Sequence, residues 1–324
     1  MKTPMFWYQP KNTIAKILSP FGCVYGFLTA RRFKKAKPYQ STVPVICVGN
    51  LTVGGTGKTP VCLALHQCLK QKNKKVFFLN RGYKGIIQNA IVDLSQHSAL
   101  DVGDESVLLS LSAPVVVDAN RVRGAQLAER NGAEVIIMDD GFQNPSLVKT
   151  LSFVVVDGKR GFGNECLLPA GPLREPILTG LKRADAIVLV GDDSWGVRFF
   201  LQRNKIDLPI LTGRFQLNPE KIRALKGRSV FAFAGIGLPQ KFYESLTESG
   251  IIVADTESFP DHCLYTQFDM ERLFKRAGSL PILTTTKDAV KLTAKTRKKV
   301  VVIDGEFVFD QPGELDRLLK GVIE

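Results

Sequence analysis

A mostly parallel sheet flanked by helices, the α/β class, follows from three observations. Short runs rich in Val, Ile and Phe recur from residue 43 onward, with helical patterns between them. These runs are continuously apolar, so the strands they predict are buried on both faces, as in a sheet covered by helices. The first run opens into a glycine-rich turn followed by apolar residues at four-residue spacing, which predicts a strand, a turn and a helix in succession.

Residues 1–38 form an N-terminal segment of unusual composition: "TIAKILSPFGCVYGFLTA" is apolar but broken by Lys16 and Pro20, and "RRFKKAK" follows with five positive charges in seven residues. Without a clean run of ~20 apolar residues it reads as too short to span a bilayer. An apolar stretch beside a basic cluster suits a helix lying on an anionic leaflet. A cleaved signal peptide is disfavoured because the apolar region is interrupted.

Residues 39–215 carry the strand candidates 43–48, 75–79, 114–117, 134–138, 153–156, 186–190 and 209–212. Val61, Leu65 and Leu69 place a helix directly after the first of them. A second series, 229–235, 250–254, 281–285 and 299–304, lies beyond "NPEKIRALKGR". It predicts a second, smaller α/β domain over 216–324.

Composition narrows the function classes. An apolar fraction of 44% excludes a disordered chain. The formal net charge of +13 calls for an anionic partner: nucleic acid, an acidic lipid surface or a phosphorylated substrate. The six cysteines show no C-x-x-C pair and no zinc spacing, so they read as reduced thiols.

The turn after the first strand is "TVGGTGKT", Thr52 to Thr59. It matches the phosphate-loop pattern G-x-x-x-x-G-K-[ST] except at its first position, where Thr52 replaces glycine. The cofactor-binding residues read from it are Thr52, Val53, Gly54, Gly55, Thr56, Gly57, Lys58 and Thr59. Gly54, Gly55 and Gly57 let backbone amides approach phosphates, and Lys58 can reach the β and γ oxygens. Thr59 offers a hydroxyl to Mg²⁺. Pro60 costs little so early in a helix, where its missing N–H has no partner to lose. Val53 stands where partitioning ATPases carry a signature lysine, which argues against that class. The fold is therefore expected to be of the P-loop NTPase type.

The other half of such a site is an apolar strand ending in a carboxylate. "EVIIMDDG" supplies Asp139 and Asp140, either of which would hold Mg²⁺ directly or through water. "DVGDES" offers Asp104 or Glu105 as general base or metal ligand, against the alternative of a plain capped helix start. In "FPDHC" the pair Asp261-His262 could face a cleft between domains; His66 and His97 have weaker claims. "LPAGPLRE" ends in Arg174-Glu175, a guanidinium and a carboxylate suited to phosphate and metal. Arg121 and Arg123 read as surface charges more readily than as phosphate clamps.

Taken together, the stretches "VGNLTVGGTGKTP", "NRGYKG", "GDES", "DDGFQ", "GFGNECLLPAGPLRE", "AGIGLPQKF", "DH" and "TTTKDAVK" run in order from about 43 to 291. Jointly they resemble the tetraacyldisaccharide 4′-kinase family, which phosphorylates the lipid A precursor of Gram-negative bacteria. The resemblance implies ATP and Mg²⁺ as cofactors. It implies Lys58 and Thr59 on nucleotide and metal, Asp139, Asp140 and Glu175 around the metal with Glu105 nearby, and Arg174 and Arg121 on phosphate. Asp104 would be the base on the sugar hydroxyl, with His262 as its partner. Two positions depart from the family's habit: Ser106 where proline is common, and Asn144 where histidine is common. Both bear on local loop shape rather than on a charged group.

The implied partners are an acylated glucosamine disaccharide phosphate and the anionic inner-membrane surface, at its cytoplasmic face. No nucleic acid is expected, and the chain is expected to be a monomer. The alternatives are a nucleic-acid-associated ATPase or a nucleotide-dependent switch. Positive charge clustered before the first strand disfavours the former; acids and a histidine beyond the phosphate site disfavour the latter.

Overall fold

The computed structural model describes residues 4–10 and 12–323. Of the segment read as 1–38, residues 1–3 and 11 lie outside the described residues. Among the described residues, thirteen strands form two sheets: β1 Val45–Gly49, β2 Val76–Asn80, β3 Ala90–Ile91, β4 Val115–Val117, β5 Val135–Asp139, β6 Leu151–Asp157, β7 Ala186–Val190, β8 Ile210–Leu217, β9 Ser229–Ala234, β10 Ile252–Ser258, β11 Ile282–Thr285, β12 Val301–Ile303 and β13 Gly305–Phe309. The large sheet has the order β13-β8-β7-β6-β1-β5-β2-β4-β3 and the small one β10-β9-β11-β12. Pairing is parallel except at the two edges of the large sheet, β3 with β4 and β13 with β8.

The apolar runs become central strands for the expected reason. Ile46 and Val48 enter one core with the helix α2 (Lys58–Gln71), while Val45 and Cys47 enter a second core on the opposite face. Each fully buried side chain of this kind contributes ~1.5–3 kcal/mol, so neither face can be left to water. Val61, Leu65 and Leu69 are buried in the first core, as their spacing predicts.

The reading of 216–324 as one unit needs a correction at its end. β13 pairs antiparallel with β8, Phe307 opposite Phe215, and the helix Pro312–Ile323 buries Leu315 and Leu319 in the same core as α2. Residues 305–323 therefore pack with the large sheet. The short strands β3 and β13 were not among the predicted runs; "GEFVF" lacks the long apolar stretch that marks a central strand, because it lies at an edge.

The N-terminal helix α1 (Thr13–Lys35) also differs from expectation. It runs 23 residues, through Pro20, about 34 Å at 1.5 Å per residue, so it is long enough to cross a bilayer. Its small residues Ala15, Gly22 and Gly26 are buried, with Gly22 and Gly26 against Leu167, while Ile14, Ile17, Phe21, Val24, Phe27 and Leu28 are exposed. One face docks on the protein; the other presents large apolar side chains.

In both sheets the parallel strands end at the same edge, and the two edges face each other. The loops after β9, β10 and β11 bring Gly237, His262 and Lys287 to Gly55 after β1 and to Asp104 and Glu105, which open the helix between β3 and β4. Ligand sites of parallel sheets lie at such carboxyl edges.

Candidate active site

β1 and β5 are adjacent and in register, Val48 opposite Asp139, which puts the phosphate loop beside the paired acids. The loop's shape is held on both flanks. Val53 N–H donates to Pro172 O at 2.8 Å and Arg174 N–H to Leu51 O at 2.8 Å, so "LPAGPLRE" runs as a splint along residues 51–53. Asn50 Nδ2 donates to Thr56 Oγ1 at 3.1 Å across the loop. Gly57 caps α2 with φ of 91°, a left-handed conformation in which a Cβ would be strained. Among the described residues, the N–H groups of Gly54 to Gly57 donate to no protein acceptor. Four free donors at a helix N-terminus make an anion cradle. Thr52 thus occupies a bridge position opposite Leu173, where a side chain does no harm, and the glycines that matter come later.

The acids separate into two environments. Thr59 donates its hydroxyl to Asp139 Oδ2 at 3.1 Å, while Asp139 Oδ1 is buried with no hydrogen-bond partner among the described residues. Burial, with the Glu105 charge adding to it, pushes the Asp139 carboxyl up to about 7. Asp140 is its opposite. Burial would raise it too, but Lys58 Nζ at 3.6 Å and the Arg174 guanidinium at 2.7 Å outweigh that and hold it well below the usual carboxylate range. An unsatisfied buried carboxylate beside a threonine hydroxyl is an all-oxygen donor set of the kind a hard divalent cation takes.

Glu175, expected at the metal, is engaged elsewhere. Arg183 NH2 donates to both of its oxygens at 2.9 and 2.7 Å, and Gln143 Nε2 donates to Oε1 at 3.0 Å. Its carboxylate is buried in this ion pair and serves to fix the splint and Gln143, which also donates to Asn50 O at 2.8 Å. Glu105 likewise has a cation as neighbour, Lys287 Nζ at 3.1 Å. Arg121 is buried and donates to Asp118 O at 2.6 Å; burial pushes its guanidinium down, and the nearby charges of Asp140 and Asp139 oppose that. Arg121 is therefore a buried cation within range of the paired acids and not a surface charge. Arg123 is instead bound to Asp118 at 2.6 and 3.0 Å.

Asp104 opens the helix Asp104–Ser110 and meets His262, from the small sheet, through a hydrogen bond of 2.7 Å between Oδ1 and Nδ1. Burial raises the Asp104 carboxyl, yet the His262 hydrogen bond and the Lys287 charge bring it below its ordinary value. Tyr83 of "NRGYKG" sets its ring edge-on to His262, centroids 5.1 Å apart. His66 lies in the core against Phe78, and His97 accepts from Asp93 N–H in an exposed loop; neither reaches the site. Ser106 is buried and donates to Asn80 Oδ1 at 3.2 Å.

The sequence reading placed Asp261 beside His262 at the cleft but did not single out Gln143, Lys287 and Lys291 as site neighbours. The motifs "DDGFQ", "DH" and "TTTKDAVK" contained them; nothing in their spacing says that three distant stretches converge.

The molecule can be set beside known proteins. The family model described as Tetraacyldisaccharide-1-P 4′-kinase matches residues 14–324. The tetraacyldisaccharide 4′-kinase of Rhodospirillum rubrum is 44% identical over 330 residues, covering 99% of each chain. That of Paramagnetospirillum magneticum is 46% identical over 325 residues, again covering 99% of each. The crystal structure of an "apo" form of LpxK from Aquifex aeolicus in complex with ATP is similar with a TM-score of 0.77 and 30% identity, covering 96% of this chain and 100% of that one. With a family match over nearly its whole length and relatives at this identity, the chain belongs to the tetraacyldisaccharide 4′-kinase family.

Proposed function

We propose that this protein transfers the γ-phosphoryl group of ATP to the 4′-hydroxyl of a tetraacylated glucosamine disaccharide 1-phosphate, at the cytoplasmic face of a Gram-negative inner membrane. One observation carries the chemical part of this reading: a phosphate loop with free amides, a lysine and paired acids from one sheet faces a carboxylate–imidazole pair shared with the other. A switch or simple ATPase has no need of the second group.

Phosphoryl transfer is catalysed mainly by positioning and charge neutralisation. The amides of Gly54 to Gly57 and the Lys58 ammonium would bind and orient the donor's phosphates. Asp140 holds Lys58 on one side while Arg174 holds Asp140 on the other, so the lysine's reach is set before any ligand arrives. Arg121 adds buried positive charge beside the same acids. Thr59 and Asp139 would hold Mg²⁺, which when bound neutralises charge on the phosphate oxygens. Asp104 would take the proton of the acceptor hydroxyl, and the hydrogen bond to His262 Nδ1 fixes which way its carboxylate faces.

The exposed face of α1, with Arg31, Arg32, Lys34 and Lys35 at its C-terminal end and Lys37 just beyond it, would bring the enzyme to an anionic leaflet where an acylated substrate resides. The reading treats the chain as a monomer that needs no nucleic acid.

The test is an assay with γ-labelled ATP and detergent-solubilised tetraacyl disaccharide monophosphate. Label should appear on the lipid. Label recovered wholly as free phosphate would reject the reading.

A further inference from the structure

"TTTKDAVK" has no role in the chemistry above, yet it sits against the Asp104 turn. It leaves β11 as a single turn of helix, Thr286–Ala289, and carries two lysines four residues apart. They face two adjacent carboxylates of the large sheet. Lys287 Nζ lies 3.1 Å from Glu105 Oε1 and 3.6 Å from Asp261 Oδ1; Lys291 Nζ lies 4.0 Å from Asp104 Oδ2.

Lys291 is the unusual one. Its side chain is 0% exposed, and a buried ammonium is tolerated only when paired and hydrogen-bonded. Asp288, equally buried, pairs with it at 2.7 Å, and Gly235 O accepts from it at 3.2 Å. Asp288 is fixed in turn by donors from Tyr265 Oη at 2.7 Å, Thr285 Oγ1 at 2.7 Å and Gly235 N–H at 3.1 Å. An ammonium has three donors, and two are used within the small-sheet unit. The same ammonium stands over the Tyr265 ring, 5.2 Å from its centroid, and near Asp104 Oδ2, a buried oxygen with no hydrogen-bond partner among the described residues. At 4.0 Å this contact is electrostatic rather than a hydrogen bond.

We propose that Lys291, held by Asp288, is a positioning residue for phosphoryl transfer, and that with Lys287 it clamps the small sheet onto the Asp104–Glu105 turn. The inference rests on the kinase reading above. Its physical basis is that Asp104 and His262 belong to different sheets and are 158 positions apart in the chain. Their 2.7 Å hydrogen bond survives only if the two units are held in register. Misplacement of a reacting group by ~1 Å can cost about 100-fold in rate. The clamp places a matched charge on each of the two carboxylates that open the Asp104 helix.

The experiment compares Lys291→Met with the parent in the labelled-lipid assay, and measures binding of a non-hydrolysable ATP analogue separately. Methionine keeps the length and removes the charge. We expect kcat to fall at least about 10-fold while the analogue's Kd stays within about threefold, because the phosphate loop belongs to the other unit. On an Asp104→Ala background the same substitution should cost less than twofold more.

Lys291→Met leaves Asp288 buried without its cation, so Lys291→Met/Asp288→Asn, which removes both charges, is made beside it. The double variant should fold with parent-like circular dichroism and be as slow as the single one. Parent-like kcat in the double variant would overturn the clamp, and so would an equal loss of kcat and nucleotide affinity. If the double variant does not fold, Lys287→Met, at a partly exposed site, decides: a kcat reduced about threefold or more with unchanged Kd supports the clamp, and a smaller reduction overturns it. A parent enzyme that labels no lipid would instead reject the kinase reading.

Discussion

Replacing Asp139 by asparagine should make the nucleotide-free protein more stable and catalytically worse. Asp139 is 1% exposed, its Oδ1 has no hydrogen-bond partner among the described residues, and its carboxyl is pushed from 3.8 to about 7 by burial and by the Glu105 charge. Between these two values the folded chain holds a proton that the unfolded chain has already lost. Stability therefore falls as pH rises through the window from about 4 to 7, and levels off above it. At 1.36 kcal/mol per pH unit, the penalty is about 2 kcal/mol at pH 5 and on the order of 4 kcal/mol at pH 8. Asparagine has nearly the same shape, carries no charge, and still accepts from the Thr59 hydroxyl through its Oδ1. Urea unfolding followed by circular dichroism, without nucleotide or divalent metal, should show the variant gaining about 2 kcal/mol more over the parent at pH 8 than at pH 5. The same substitution should reduce label transfer to lipid, an exchange of activity for stability. A variant less stable than the parent at pH 8, or a difference that does not change with pH, would refute the argument that Asp139 is ionised at a cost.

Two further outcomes follow from the geometry. A Cβ on Gly237 would lie 3.0 Å from the backbone of Gly55, so Gly237→Val should push the small sheet off the phosphate loop and lower kcat/KM at least about 10-fold, with Gly237→Ala intermediate; parent-like kinetics in the valine variant would show that the contact is dispensable. On α1, replacing the exposed Phe21, Val24 and Phe27 by serine should weaken sedimentation with anionic vesicles about 100-fold or more, since each apolar side chain removed from water contributes ~1.5–3 kcal/mol; unchanged sedimentation would remove α1 from the docking surface.

Much of the architecture was legible in the chain because it depends on local chemistry. Continuous runs such as "VPVICV" and "EVIIM" read as strands buried on both faces, and a glycine-rich turn ending in Lys58-Thr59 before Val61, Leu65 and Leu69 reads as the start of a helix whose N-terminus suits an anion. Those are properties of a few neighbouring residues, and no distant contact was needed to see them. What tertiary structure decided were the pairings between distant residues. Glu175 and Arg174 are adjacent in sequence, yet one is committed to Arg183 and the other to Asp140, because splint and strand approach from opposite sides. Asp139 and Asp140 look interchangeable as letters, but the fold buries one beside only the Thr59 hydroxyl, with Oδ1 unpartnered among the described residues, and surrounds the other with cations. The return of Gly305–Phe309 to the large sheet, the length of α1 through Pro20, and the meeting of Asp104 with His262 and the two lysines depend equally on which surfaces are brought together. Periodicity reports what a segment must bury; only the assembled sheets determine which charge stands opposite which.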